Sequence, residues 1–110
     1  MKIPKKLYHA TLDLWDAFSI TEGGFETEIT YFCSEIHHAA EFLQKIHGDG
    51  EYHVVEVDTS TLDINNLEES TDHNPDFYSK DLKSYVYFGW IEEESVSEEV
   101  TTCNIWKEYK

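Results

Sequence analysis

One continuous stretch, Thr30-Tyr31-Phe32-Cys33-Ser34-Glu35-Ile36-His37-His38-Ala39-Ala40-Glu41-Phe42-Leu43-Gln44-Lys45-Ile46-His47-Gly48, constrains the fold more than any other. A β-branched and aromatic run over 29–33, free of turn formers, has the character of a buried strand. It passes directly into a run in which Ile36, Ala39, Ala40, Leu43 and Ile46 recur at three- and four-residue steps, so that a helix would carry them on one stripe. Such a stripe has to be buried against a sheet. Ser34 is placed to cap the first-turn amides, Glu35 to meet the positive end of the helix dipole, and Gly48 to take the left-handed turn that stops the helix. The expected fold is therefore α+β: a small split or twisted antiparallel sheet with one main helix, 35–47, packed on it.

The rest of the chain supplies the remaining strands. Leu7 to Thr11 suits a first strand, on which Leu7, His9 and Thr11 share one face and Tyr8 and Ala10 the other. Asp13 is placed to cap a short helix carrying Leu14, Trp15 and Phe18, and Gly23-Gly24 then reverses the chain. That glycine pair lacks the further glycines and the lysine of a phosphate-binding loop. Strands are expected over 51–57 and 84–88, with Val96, Val100, Ile105 and Trp106 of the tail adding core contacts. Between 65 and 83 the apolar periodicity fails, which reads as a long acidic surface loop with a short helical turn. Phe77 and Tyr78 are expected to pin that loop, leaving Glu68, Glu69, Asp72 and Asp76 as an exposed negative rim that selects a partner.

A length of 110 residues fits one domain spanning 1–110. No signal peptide is recognisable, no apolar run reaches the roughly 18 residues of a membrane span, and the two cysteines read as reduced thiols. A cytoplasmic protein is expected. Twenty-three acidic residues face eight basic ones, all lysine, for a formal charge of −15. That field repels nucleic acid and anionic membrane and favours a basic partner. Cys33, His37 and His38 are close in sequence, but paired cysteines at zinc spacing are missing, so no metal is expected. A cysteine–histidine nucleophile has no distinguishing spacing here either.

Three stretches taken together, Leu7-Tyr8-His9-Ala10-Thr11, Tyr31-Phe32-Cys33-Ser34 with Ala39-Ala40-Glu41-Phe42, and Ser84-Tyr85-Val86-Tyr87-Phe88-Gly89-Trp90-Ile91, resemble the ADP-ribosyltransferase superfamily. The likeness is to its His-Tyr-Glu branch, that of diphtheria toxin and the poly-ADP-ribose polymerases. It implies that His9 and Thr11 orient the nicotinamide-side ribose of NAD, with Ala10 replacing the family's usual glycine. It implies further that Tyr31 or Phe32 stacks on nicotinamide opposite Phe42. A cationic ring held between aromatic faces gains on the order of 1 kcal/mol once desolvated. The family's third motif places a glutamate five residues before a Gly-x-Ile glycine; at that spacing from Gly89 this chain has Ser84, which carries no charge to stabilise an oxocarbenium-like transition state. The branch that requires arginine does not fit a chain without one.

Two functions are thus expected in competition. One is mono-ADP-ribosyl transfer from NAD to a macromolecule, with a substrate carboxylate or Asp81 replacing the missing glutamate, or a degenerate relative that only binds NAD. The other is a non-catalytic acidic interaction protein, an inhibitor or nucleic-acid mimic of the kind phages encode, that occupies a basic partner.

Overall fold

The computed structural model describes residues 3–70 and 84–105. Among the described residues, six strands form one antiparallel sheet: β1 (Lys6–Thr11), β2 (Ile29–Cys33), β3 (Gly50–Asp58), β4 (Leu67–Ser70), β5 (Ser84–Phe88) and β6 (Val96–Ile105), in the order β4-β5-β2-β1-β3-β6. Two helices among the described residues pack on it, α1 (Leu14–Gly23) and α2 (Ile36–His47). No helix among the described residues is long and apolar enough to cross a membrane.

The sheet is split in character at its centre. β1 pairs with β3 from Lys6↔Asp58 through Thr11↔His53, and β2 with β5 along its whole length, yet β1 and β2 share the single pair Tyr8↔Cys33. Strand alternation then sorts the core into two clusters. Leu7, Phe32, Val55, Val57, Tyr85 and Tyr87 pack with Ala17 of α1 on one face; Cys33, Tyr52 and Val54 pack with Ala39 and Ala40 of α2 on the other. The sheet thus carries a helix on each face rather than one main helix.

Both helices start and stop for local reasons. Asp13 accepts from the Trp15 amide at the head of α1, and Gly24, at φ 75°, ends it by donating its N–H to the Ile20 carbonyl. A Cβ on Gly24 would lie 2.1 Å from the Ile91 carbonyl oxygen, so glycine is required where Phe25 bridges to Ile91. α2 begins one residue later than expected. Its N-cap is Glu35, whose side chain makes no cap hydrogen bond, and Ser34 lies one position too early to serve. Gly48 closes α2 at φ 92°, as its sequence position suggests. The buried stripe runs through Ile36, Ala39, Ala40 and Leu43 but not Ile46, which is 59% exposed. At that end Tyr52, buried in the same cluster, donates its hydroxyl to the Gly48 carbonyl.

Two strands depart from the sequence expectation. Residues 65–83 are not one loop: Ile64–Asn66 forms a 3-10 turn and Leu67–Ser70 is an edge strand paired with β5, its Leu67 buried. The tail forms the other edge strand, β6, against β3. Its register shifts between Val55↔Val100 and Val57↔Val96, so four steps of β6 oppose two of β3 and Glu98 and Glu99 are accommodated in the irregularity. Acidic residues on both edges also discourage strand addition by another chain.

Candidate functional site

His9 lies on β1 beside the sparse seam. Its Nδ1–H donates to the carbonyl of Tyr31 on β2 at 2.8 Å, a bond that serves a backbone acceptor where the β1–β2 ladder provides only one pair. Because a carbonyl can only accept, this bond places the proton on Nδ1 and leaves Nε2 of the neutral ring as an acceptor. The ring stands edge-on to Phe25, at 5.2 Å and 88°, and to Phe32, at 5.9 Å and 66°. Burial lowers the His9 pKa below the ordinary imidazole value, while the Tyr31 carbonyl acts in the opposite direction.

The residues singled out in the sequence do not all meet. Phe32 is on the α1 face with His9 and is 1% exposed, enclosed by its cluster. Tyr31 alternates to the α2 face and is 53% exposed; Phe42, on α2, is 40% exposed. The sheet therefore separates His9 and Phe32 from Tyr31 and Phe42, and the pair able to share a face with Phe42 is completed by Tyr31, not Phe32. Thr11 is buried, its hydroxyl held between the carbonyls of Asp13, at 3.0 Å, and His53, at 3.1 Å. Ser84 begins β5 opposite Cys33. Asp72, Asp76, Phe77, Tyr78 and Asp81 lie outside the described residues.

Glu68 and Glu69 are exposed, though on a strand rather than a loop. Glu69 gains a position that the sequence did not reveal. It pairs in register with Tyr85, Tyr85 with Phe32, and Phe32 meets His9 across the seam. Glu69, Tyr85, Phe32 and His9 thus form one cross-strand row on the α1 face, with the carboxylate and the imidazole three strand spacings, roughly 14 Å, apart. Burial first and Glu69 second raise the Tyr85 pKa.

A cavity of about 420 Å³ opens among Ile3, Lys5, Lys6, Thr59, Leu62 and Leu67, at the Lys6 end of β1, and is lined by none of the five residues expected to hold NAD. Cys33 is buried and its thiol is pushed up to about 12 by desolvation, so it is poorly suited to act as a nucleophile. At the head of α2, Glu35 Oε2 lies 3.5 Å from His37 Nε2 and 3.4 Å from His38 Nδ1.

No protein-family model matches the chain, and no curated protein matches it.

Proposed function

We propose that the chain is a nicotinamide-nucleotide-binding domain of ADP-ribosyltransferase type, centred on His9. The observation that carries this reading is the adjacency of the strands of the three resembling stretches: β5, β2 and β1 lie side by side, with His9 fixed to the β2 backbone in a defined tautomer. The Nε2 acceptor is suited to a ribose hydroxyl. Glu69, on the same row as His9, supplies a carboxylate on the face where Ser84 offers none. In transfer, the glycosidic bond of NAD breaks, nicotinamide departs, and the ribose carbon joins a nucleophile of a macromolecular acceptor that loses its proton to solvent. With Glu69 three strand spacings, roughly 14 Å, from His9, its carboxylate would act on the cationic character at that carbon as a long-range charge rather than by contact. Tyr31 and Phe42, across the sheet, are left out of this pocket.

Calorimetric titration of NAD into the wild type and His9→Ala tests binding, and release of nicotinamide by the wild type and Glu69→Gln tests chemistry. Binding that is lost in His9→Ala supports the pocket. Absence of wild-type binding at millimolar NAD removes it, and turnover unaffected by Glu69→Gln removes the role given to Glu69.

The reading as an acidic interaction protein is favoured by a different observation. Leu12, Trp15 and Phe18 are 52%, 76% and 40% exposed, the Trp15 and Phe18 rings meet edge-on at 6.4 Å, and Asp13 and Asp16 flank them. An aromatic centre within an acidic rim is suited to a basic protein partner. Capture from lysate that weakens steeply as salt rises, and that is lost in Trp15→Ala, supports this second reading; capture indifferent to both argues against it.

A further inference from the structure

We propose that Glu35, His37 and His38 form a site for a divalent transition-metal ion, zinc first, bound by the Glu35 carboxylate, His37 Nε2 and His38 Nδ1. Each of the three residues offers one ligand atom, and these atoms all lie within 4.8 Å of one another. Ligand atoms held about 2.1 Å from a tetrahedral zinc ion stand about 3.4 Å apart. The two separations from Glu35 Oε2, 3.5 Å to His37 and 3.4 Å to His38, already match that edge. The centroids of the exposed His37 ring and the His38 ring are 4.2 Å apart, and rotation of His37 would close the third edge.

An independent observation points to a ligand. His38 is 8% exposed, and its Nδ1 is buried without a hydrogen-bond partner; the nearby Glu35 oxygen does not complete bonding geometry. A buried imidazole nitrogen left without a partner is destabilising, and a metal ion would satisfy it. Glu35 fits the same picture. It occupies the N-cap of α2, yet its carboxylate makes no bond to the helix amides and lies between the two imidazoles instead.

The chemistry of the donors narrows the ion. Two imidazoles and one carboxylate favour zinc, copper or nickel over magnesium or calcium, which prefer all-oxygen shells. The positive end of the helix dipole opposes a cation weakly, and the ligating carboxylate offsets it. The Glu35 and His37 side chains are 56% and 59% exposed, so the fourth position opens to solvent and takes a water or an exogenous ligand. The site is separate from the His9 row and does not rest on nucleotide binding.

Titration of zinc chloride into the full chain, with a competing chromophoric chelator and magnesium as control, tests the assignment. One zinc per chain is expected, with affinity reduced at least tenfold in Glu35→Gln and in His37→Ala. Both positions are exposed, so folding should survive. His47→Ala, at the far end of α2, should bind as the wild type does. Ring nitrogen NMR of the wild type should show His38 Nδ1 shifting on zinc addition. Unchanged affinity in Glu35→Gln and His37→Ala, an equal loss in His47→Ala, or an unmoved His38 Nδ1 would overturn the site and leave only diffuse binding to surface carboxylates.

Discussion

His9 donates its Nδ1–H to the Tyr31 carbonyl at 2.8 Å, across the place where, among the described residues, β1 and β2 share a single register pair. The bond joins the β4-β5-β2 half to the β1-β3-β6 half, so the side chain expected to contact a ligand also stitches the sheet.

Replacing His9 by phenylalanine retains an aromatic ring but leaves the Tyr31 carbonyl without its donor. Urea denaturation should show a loss of about 1–3 kcal/mol, and His9→Asn, which restores a donor near the Nδ1 position, should recover part of it. Equal stability of His9→Phe and the wild type would mean that the bond contributes nothing to the seam.

The same residue sets a pH dependence. Burial holds the folded pKa of His9 below the value near 6.5 that an unfolded histidine has. Below about pH 6.5 the unfolded chain therefore binds a proton that the folded chain resists, and the stability contributed by neutral His9 falls as pH drops through that value toward the folded pKa; above it the contribution is full. The stability gap between the wild type and His9→Phe, measured in urea from pH 7.5 to pH 5, should narrow with acidification. A constant or widening gap contradicts the lowered pKa.

The two helix-ending glycines should respond differently to alanine. At Gly24 a Cβ would collide with the Ile91 carbonyl oxygen at 2.1 Å, whereas at Gly48 nothing lies within 4 Å. Both carry positive φ, so each substitution costs about 1–2 kcal/mol in backbone conformation. Gly48→Ala should lose about that much by thermal melting, and Gly24→Ala at least about 3 kcal/mol, with the Phe25↔Ile91 bridge disrupted. Equal losses would place the two turns under the same constraint.

The acidic partner-selecting rim expected from the sequence around β4 is tested separately from the Trp15 patch of α1. Reversing Glu68, Glu69, Asp72 and Asp76 to lysine together should abolish capture of a basic partner while changing the melting temperature little, because Glu68 and Glu69 are exposed. Unchanged capture would show these charges to be solvation alone.

Much of this architecture was legible because periodicity reports burial directly. The alternation of Leu7 to Thr11, the apolar run before Ser34 and the stripe of Ile36, Ala39, Ala40 and Leu43 each describe an element in the sheet's centre or packed on it. The edge strands were not legible. Leu67–Ser70 and Val96–Ile105 need to bury little, so Glu68, Glu69, Glu98 and Glu99 erase the alternation that would mark a strand. In the candidate site, alternation placed His9 and Thr11 on one face, but the parity of Tyr31 and Phe32 depends on the register with β1, which only the paired strands define. Phe25 could not be anticipated as a neighbour of His9, because it comes from a turn closed by a distant bridge to Ile91. Glu35 looked like an acid placed for the helix dipole; its carboxylate turns to the two histidines instead.

His9, protonated on Nδ1 by its bond to Tyr31, is the residue on which the proposed nicotinamide-nucleotide contact through Nε2 depends. Long-range proton–nitrogen correlation NMR of the histidine rings reads both parts in one titration. The expected spectrum has a protonated Nδ1 and an unprotonated Nε2 for His9 near neutral pH, with the Nε2 signal moving as NAD reaches millimolar concentration. A proton on Nε2 in the free protein, or a His9 ring indifferent to millimolar NAD, would contradict it.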